Sequence, residues 1–221
     1  MMSINSKTKI IIAIDGPSAS GKGTVAKKIA DYFKVPYLNT GALYRGVALQ
    51  MMEQKIAVEE LDNYLPEIAQ KLNYKDLENP KLFFENCGQV ASKIAQNPKL
   101  RQTLFDYQRN FVTQNLSGSV LDGRDTTTVI CPEADFKFYI TADVEIRAKR
   151  RFLQLKDSSP LIEYSQILQQ LKDRDANDLN REFAPLKIAS DAIFIDNGEL
   201  SIDQTFEKIQ QHINLKLQNN A

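Results

Sequence analysis

An α/β fold built on a parallel sheet is what this sequence predicts, and three observations predict it. Ile10–Ile14 is a β-branched apolar run, the mark of a strand buried on both faces. A glycine-rich loop, Gly16-Pro-Ser-Ala-Ser-Gly21-Lys22-Gly23-Thr24, joins that run to an amphipathic stretch. Strand and helix patterns then alternate, as chains of βαβ units do.

Taken in order, Asp15-Gly16-Pro17 ends the first strand, and Thr24–Phe33 reads as a helix because Val25, Ile29 and Phe33 recur four apart. Val35–Leu38 is a second, short strand. Asn39-Thr40-Gly41 offers cap residues for a helix to about Gln54. From Ile56 to Gly88 no long period holds: apolar groups such as Leu82-Phe83-Phe84 alternate with Asn, Pro, Asp and Glu. Residues 56–88 are therefore expected to be an inserted sub-domain, with 1–55 and 89–221 forming the core. Gly88–Gln96 is helical, Asn97-Pro98 breaks it, and a further helix reaches about Gln114. Ser119–Asp122 and Phe136–Thr141 read as strands, Asp143–Leu155 as a helix, Lys156–Pro160 as an exposed turn and Leu161–Asp175 as another helix. Ala192–Asp196 is the last strand, closed by Asn-Gly, and Ser201–Leu217 a C-terminal helix.

Composition excludes several functions. The 221 residues carry 28 Lys plus Arg against 28 Asp plus Glu, a formal charge of zero, where a nucleic-acid binder needs a basic excess. Two cysteines, Cys87 and Cys131, cannot staple a fold of this size, and with the single histidine, His212, they offer no zinc spacing. No protein metal ligands are expected. The apolar run before Asp15 is too short for a signal-peptide core, and no stretch reaches the roughly 18 apolar residues of a spanning helix. The chain is expected to be a cytoplasmic monomer that touches neither membrane nor nucleic acid.

The Gly16–Thr24 loop is the strongest signal. Its glycines let the chain curl so that backbone N–H groups face a polyphosphate. The helix N-terminus adds its positive dipole end, and Lys22 adds a full charge near the β- and γ-phosphates. Gly23 stands where a Ser or Thr ordinarily reaches Mg²⁺, and the hydroxyl comes one residue later, at Thr24. Mg²⁺ is still expected with ATP, since phosphoryl transfer needs charge between the β- and γ-oxygens.

The nine arginines are placed unevenly, none before Arg45, none between Arg45 and Arg101, none after Arg181. Arg147, Arg150 and Arg151 fall on one helix face, and Arg174, Asp178 and Arg181 share another if that segment is helical. The guanidinium fork suits phosphates and carboxylates; the same residues also fit solvated surface ion pairs. Asp122-Gly123-Arg124-Asp125 places charge at the C-terminal edge of a strand, where α/β sheets bind ligands.

These motifs together resemble the bacterial cytidylate kinase family over most of the chain. The residues that carry the resemblance are Ile14–Thr24, Leu38-Asn-Thr-Gly-Ala-Leu-Tyr-Arg45, Leu121-Asp-Gly-Arg-Asp125, Arg174-Asp-Ala-Asn-Asp178, Asn180-Arg181 and Ala184-Pro185-Leu186. The resemblance implies a P-loop NTPase-type parallel five-stranded sheet with helices on both faces, a nucleoside-monophosphate-binding insertion and a short lid at about 153–160. It implies that Gly16, Pro17, Ser18, Ala19, Ser20, Gly21, Lys22, Gly23 and Thr24 hold ATP. It implies that Thr40, Tyr44 and Arg45 face the monophosphate, that Ser92, Arg101 and Asp125 line the cytosine pocket, and that Asp122 belongs to the substrate site. Arg124, Arg181 and Arg174 would grip the CMP phosphate, Asp178 the pentose hydroxyls, and Arg150 and Arg151 the transferring group. Two departures stand out: Thr126-Thr127-Thr128 has no glycine at its middle position, and Phe83–Cys87 lacks the family's Ile-Arg-Thr.

The activity so implied is ATP-dependent phosphorylation of CMP and dCMP, with Lys22, Arg124, Arg150, Arg151 and Arg181 stabilising the transferring charge. Two other readings stay open: a P-loop kinase for a different small acceptor, and a module that senses ATP without transfer.

Overall fold

The computed structural model describes residues 9–156 and 161–219. Five strands form one all-parallel sheet: β1 (Ile10–Asp15), β2 (Tyr37–Asn39), β3 (Gly118–Gly123), β4 (Phe136–Thr141) and β5 (Ile193–Asp196), in the order β2-β3-β1-β4-β5. The helices are α1 (Lys22–Phe33), α2 (Thr40–Gln54), α3 (Leu61–Lys71), α4 (Glu85–Ile94), α5 (Pro98–Gln114), α6 (Val144–Leu155), α7 (Tyr164–Asn180) and α8 (Ile202–Asn219).

The two-residue period of β1 divides the interior. Ile10, Ile12 and Ile14 face α1 and α8, in a core that includes Ile29, Phe138, Ile140 and Ile209. Ala13 faces the other way, into a core of Leu38 and Leu121 with residues of α2, α3, α4 and α5. A small third cluster, Ala148, Ile167 and Leu171, joins α6 to α7. Because both faces of the sheet are covered, its strands are continuous apolar runs, which is what made them readable.

Several expected boundaries move. The stretch 56–88 is ordered as α3 flanked by short 3₁₀ turns at Val58–Glu60, Tyr74–Glu78 and Pro80–Phe83. Leu61, Leu65 and Ile68 do keep a helical spacing there, and all three are buried. α4 begins at Glu85 rather than Gly88, and α7 covers Tyr164–Asn180 rather than 161–175. β2 starts at Tyr37, after Pro36, which has no N–H for a ladder. A single π-helical turn, Thr126–Ile130, follows β3 where no helix was expected. Of the expected lid, 153–160, residues 157–160 lie outside the described residues.

The chain leaves β1 toward β2 at one edge and leaves β3 toward β4 on the far side of β1. Such a reversal opens a crevice at the carboxyl ends of the strands.

Candidate active site

The loop after β1 is held by its surroundings. Gly16 has φ +152°, and a Cβ there would lie 2.0 Å from the Ile140 carbonyl oxygen of β4, so only glycine lets the chain leave the sheet at that point. Ala19 and Gly21 take left-handed conformations, which curl the loop before α1 begins at Lys22. From behind, Arg147 donates to the Ser18 carbonyl oxygen (3.0 Å) and pairs with Asp175 (2.6 Å), while Asn197 Nδ2 donates to the Ser20 carbonyl oxygen (2.7 Å). Arg147 is buried and braces the loop. It does not share a ligand-facing surface with Arg150 and Arg151, as the helical spacing suggested.

In front of the loop lies a cavity of about 1230 Å³, over the carboxyl ends of β1, β2 and β3. Ser18 to Thr24 line it, whereas Gly16 and Pro17 lie beneath and do not. The structure brings the other expected residues to the same wall: Thr40, Tyr44 and Arg45 from α2, Ser92 from α4, Arg101 from α5, and Asp122 to Asp125 from the end of β3. Arg150 and Arg151 from α6 and Arg174, Asp178 and Arg181 from α7 and its end complete it. Arg181 sits just past α7 in extended backbone, and its guanidinium reaches back, donating to the Ala184 carbonyl oxygen (2.7 Å). It is therefore not on the helical face shared by Arg174 and Asp178.

Local bonds fix the β3 edge. Tyr37 donates to Asp122 Oδ1 (2.6 Å), and Thr40 donates to the Asp122 carbonyl oxygen (2.8 Å). The buried Asp15 carboxylate accepts four hydrogen bonds, from the N–H and hydroxyl of both Thr126 and Thr127, at 2.6–2.9 Å. Thr126 and Thr127 thus anchor the π turn, and with it Asp125, to the last residue of β1.

Charge dominates the cavity. Among the described residues, nine cationic side chains line it against five anionic ones, an excess suited to polyanions. Arg124 lies at its centre: Nε donates to Asp178 (2.6 Å) and Nη2 to the Ser18 hydroxyl (2.7 Å). Burial opposes its charge, but Asp178 outweighs this and holds Arg124 above its ordinary range. Arg101 pairs with Asp125, and Arg181 lies 3.9 Å from Asp125 and 3.7 Å from Asp178. Burial raises the carboxyls of Asp122 and Asp125 despite these partners. Lys22 Nζ donates to the Pro17 carbonyl oxygen (3.1 Å); burial, then repulsion from Arg124, lowers its ammonium to about 7.

Three residues of this architecture went unread in the sequence. Asn197, in a dipeptide taken for a plain turn, binds the loop and accepts from Arg150 through Oδ1 (3.1 Å) and its carbonyl oxygen (2.7 Å). Asp15 looked like a strand terminator. Glu85 carried no local signal, yet it lies 3.5 Å from Arg151 and 3.8 Å from Arg174. Among the described residues, no three His, Cys, Asp or Glu side chains are grouped to hold a metal. A Cβ at Gly23 would stand 3.7 Å from Asp122 Oδ2, so Asp122 is the carboxylate nearest the position where a metal-binding hydroxyl is missing. Cys87 and Cys131 are buried, burial pushing the latter up to about 12, and His212 is exposed on α8, away from the cavity.

A parallel sheet with a lysine-bearing phosphate loop at its crevice, and a cation-rich cavity before it, defines a P-loop phosphotransferase. The sequence model of one family, cytidylate kinase, matches residues 12–215, and the chain belongs to that family. It is 47% identical over 196 residues to the cytidylate kinase of Bartonella henselae, covering 89% of this chain and 90% of that one. The cytidylate kinase of Brucella suis biovar 1 is 40% identical, covering 89% of both. Among solved structures, an uncharacterized protein from Eubacterium ventriosum (TM-score 0.54, 17% identity, 94% of this chain and 99% of that one) shares the fold. So does TT1252 from Thermus thermophilus (TM-score 0.51, 17% identity, 96% and 99%). Among the described residues no helix is long and apolar enough to cross a membrane.

Proposed function

We propose that this chain transfers the γ-phosphoryl group of ATP to CMP and dCMP, releasing ADP and the diphosphates. The observation that carries the reading is Arg124, whose guanidinium spans from Ser18 of the phosphate loop to Asp178 of α7. One cation is thereby shared between the wall that suits a donor triphosphate and the wall that suits an acceptor.

In this reading a phosphate oxygen of the acceptor attacks the γ-phosphorus, and the bond from that phosphorus to the β–γ bridging oxygen breaks. The nucleophile is already anionic, so no histidine or cysteine base is required, in keeping with the positions of His212, Cys87 and Cys131. What the protein supplies is position and positive charge. Lys22 and the loop amides hold the donor phosphates; Arg150 and Arg151 close on the transferring group; Arg124 and Arg181 neutralise charge between the two substrates. Arg45 and Arg174 hold the acceptor phosphate, Ser92, Arg101 and Asp125 recognise cytosine, with Thr40, Tyr44 and Asp122 framing the pocket, and Asp178 takes the pentose. Mg²⁺, when bound with ATP, would supply positive charge to the donor phosphates. Asp122, the carboxylate beside Gly23, would be the protein's contact to it.

Segment 56–88 serves as the acceptor-side insertion of this scheme, 153–160 as its lid, and the setting is a cytoplasmic monomer. The test is ADP release with ATP, Mg²⁺ and a panel of CMP, dCMP, UMP, AMP, GMP and shikimate. Turnover confined to CMP and dCMP is expected. Turnover with another acceptor alone discards the cytosine pocket, and tight ATP binding with no turnover across the panel turns the chain into a sensor.

A further inference from the structure

Glu85 opens α4, and its carboxylate stands in the cavity wall between cations from two other helices. Oε2 lies 3.5 Å from Arg151 on α6, and Oε1 lies 3.8 Å from Arg174 on α7. The same segment engages a third cation by backbone: Arg45 Nη1 donates to the carbonyl oxygens of Leu82 (2.5 Å) and Phe84 (3.3 Å). Arg151 also donates to the Phe83 carbonyl oxygen (3.0 Å). Burial, then repulsion from Arg174 and Arg151, lowers Arg45 to about 10, and Glu85 is among the charges that offset this crowding. Two guanidiniums from two helices thus meet one carboxylate, and a third, Arg45, is held beside it by the backbone of the same segment. The Glu85 contacts are loose ion pairs beyond good hydrogen-bond length, whereas a phosphate dianion can take short, bidentate bonds from the same forks.

Resting on the assignment of Arg45 and Arg174 to the acceptor phosphate, we propose that Glu85 is a specificity-determining residue that competes with that phosphate for Arg174 directly and for Arg45 through the shared charge of the cluster. A phosphomonoester carries two charges and displaces the singly charged Glu85 from the arginines. An acceptor bearing only a carboxylate has no such advantage. Glu85 therefore weakens every anion in this subsite and weakens a monoanion more than a phosphate dianion.

Steady-state kinetics on the full chain at low salt test this, with the KM values for CMP and ATP measured for wild type, Glu85→Gln, Glu85→Asp and Arg174→Gln. Glu85→Gln is expected to lower the CMP KM roughly three- to tenfold, the scale of one partly screened charge, and to move the ATP KM, which senses only the Arg151 contact, by clearly less. Glu85→Asp restores the charge and should return the CMP KM toward wild type. An unchanged or raised CMP KM in Glu85→Gln overturns the proposal, as does an equal change for ATP. A purely structural role, as an acidic residue in the first turn of α4, would lower the melting temperature without moving the CMP KM. Arg174→Gln separates the two levels of inference. If it leaves the CMP KM unchanged, the arginine assignment fails and the proposal with it; if it raises the CMP KM while Glu85→Gln does not lower it, only the proposal falls.

Discussion

Burial and the neighbouring Arg124 hold the Lys22 ammonium far below its ordinary 10.5, at about 7. Above that pH the side chain is largely a neutral amine, poised to gain a proton when negative charge arrives. Phosphates bound against Lys22 restore its pKa toward the usual range, so ATP binding should take up close to one proton at pH 8.5 and almost none at pH 6. Calorimetry of ATP binding in buffers of different ionisation enthalpy measures this, and equal uptake at both pH values would exclude Lys22 as the group. The sign for stability follows from the same shift. Between about 7 and 10.5 the unfolded chain binds the proton that the folded chain lacks, so this lysine's contribution makes stability rise with pH across that window. At this scale the phosphate loop was legible because its function depends on consecutive residues. Asp15, Glu85 and Asn197 were not, because their partners are 111 residues, 66 to 89 residues, and 47 to 177 residues away along the chain. Arg147 was misread for a related reason: helical spacing says which residues share a face, not whether that face meets a ligand or a buried loop.

Elements were legible where a single period ran long enough to exceed the noise of polar interruptions. β1, β4, α2 and α5 meet that condition, and their cores and caps agree with the pattern. α3 did not, although Leu61, Leu65 and Ile68 all point inward. Pro66 lies inside that helix, and Asp, Asn and Tyr residues fill its first turn, so its local propensity argues against the helix that packing enforces. One tie between α3 and the better-formed α5 is Asn97. Its side-chain oxygen accepts from Leu100 N–H (2.9 Å), capping α5, while its amide donates to Asp62 of α3 (2.7 Å). Asn97→Ala is expected to cost about 1–2 kcal/mol, read as a drop in the denaturant midpoint without a change of slope. A cost within about 0.3 kcal/mol would mean that Pro98 and the helix's own packing hold this end without the cap.

On the scale of the whole molecule, the cavity is walled by parts of unequal solidity. Among the described residues, the cores on the two sides of the sheet contain 23 and 15 buried apolar residues, whereas the cluster that joins α6 to α7 contains three, with partly buried apolar side chains around them. That pair nevertheless carries Arg150, Arg151, Arg174 and Asp178, four of the charged side chains that line the cavity. Many of its ties to the rest of the molecule are polar: Arg147 to Ser18, Arg124 to Asp178, Arg150 to Asn197, and Arg151 and Arg174 to Glu85. Local opening is cheapest where few apolar groups must be exposed, and functional segments that move are drawn from such regions. The backbone amides of α6 and α7 should therefore exchange with solvent deuterium at least tenfold faster than those of β1 and β3. Binding of CMP with a non-hydrolysable ATP analogue should slow exchange in α6 and α7 selectively, since in the proposed function substrate phosphates bridge their arginines to the phosphate loop and to α2. Exchange in α6 and α7 as slow as in the sheet would show that the polar ties alone make this wall rigid. Closure would then have to come from the α3–α4 side, where Leu61, Leu65, Ile68 and Ile94 share the larger core with β3 and so make opening costly.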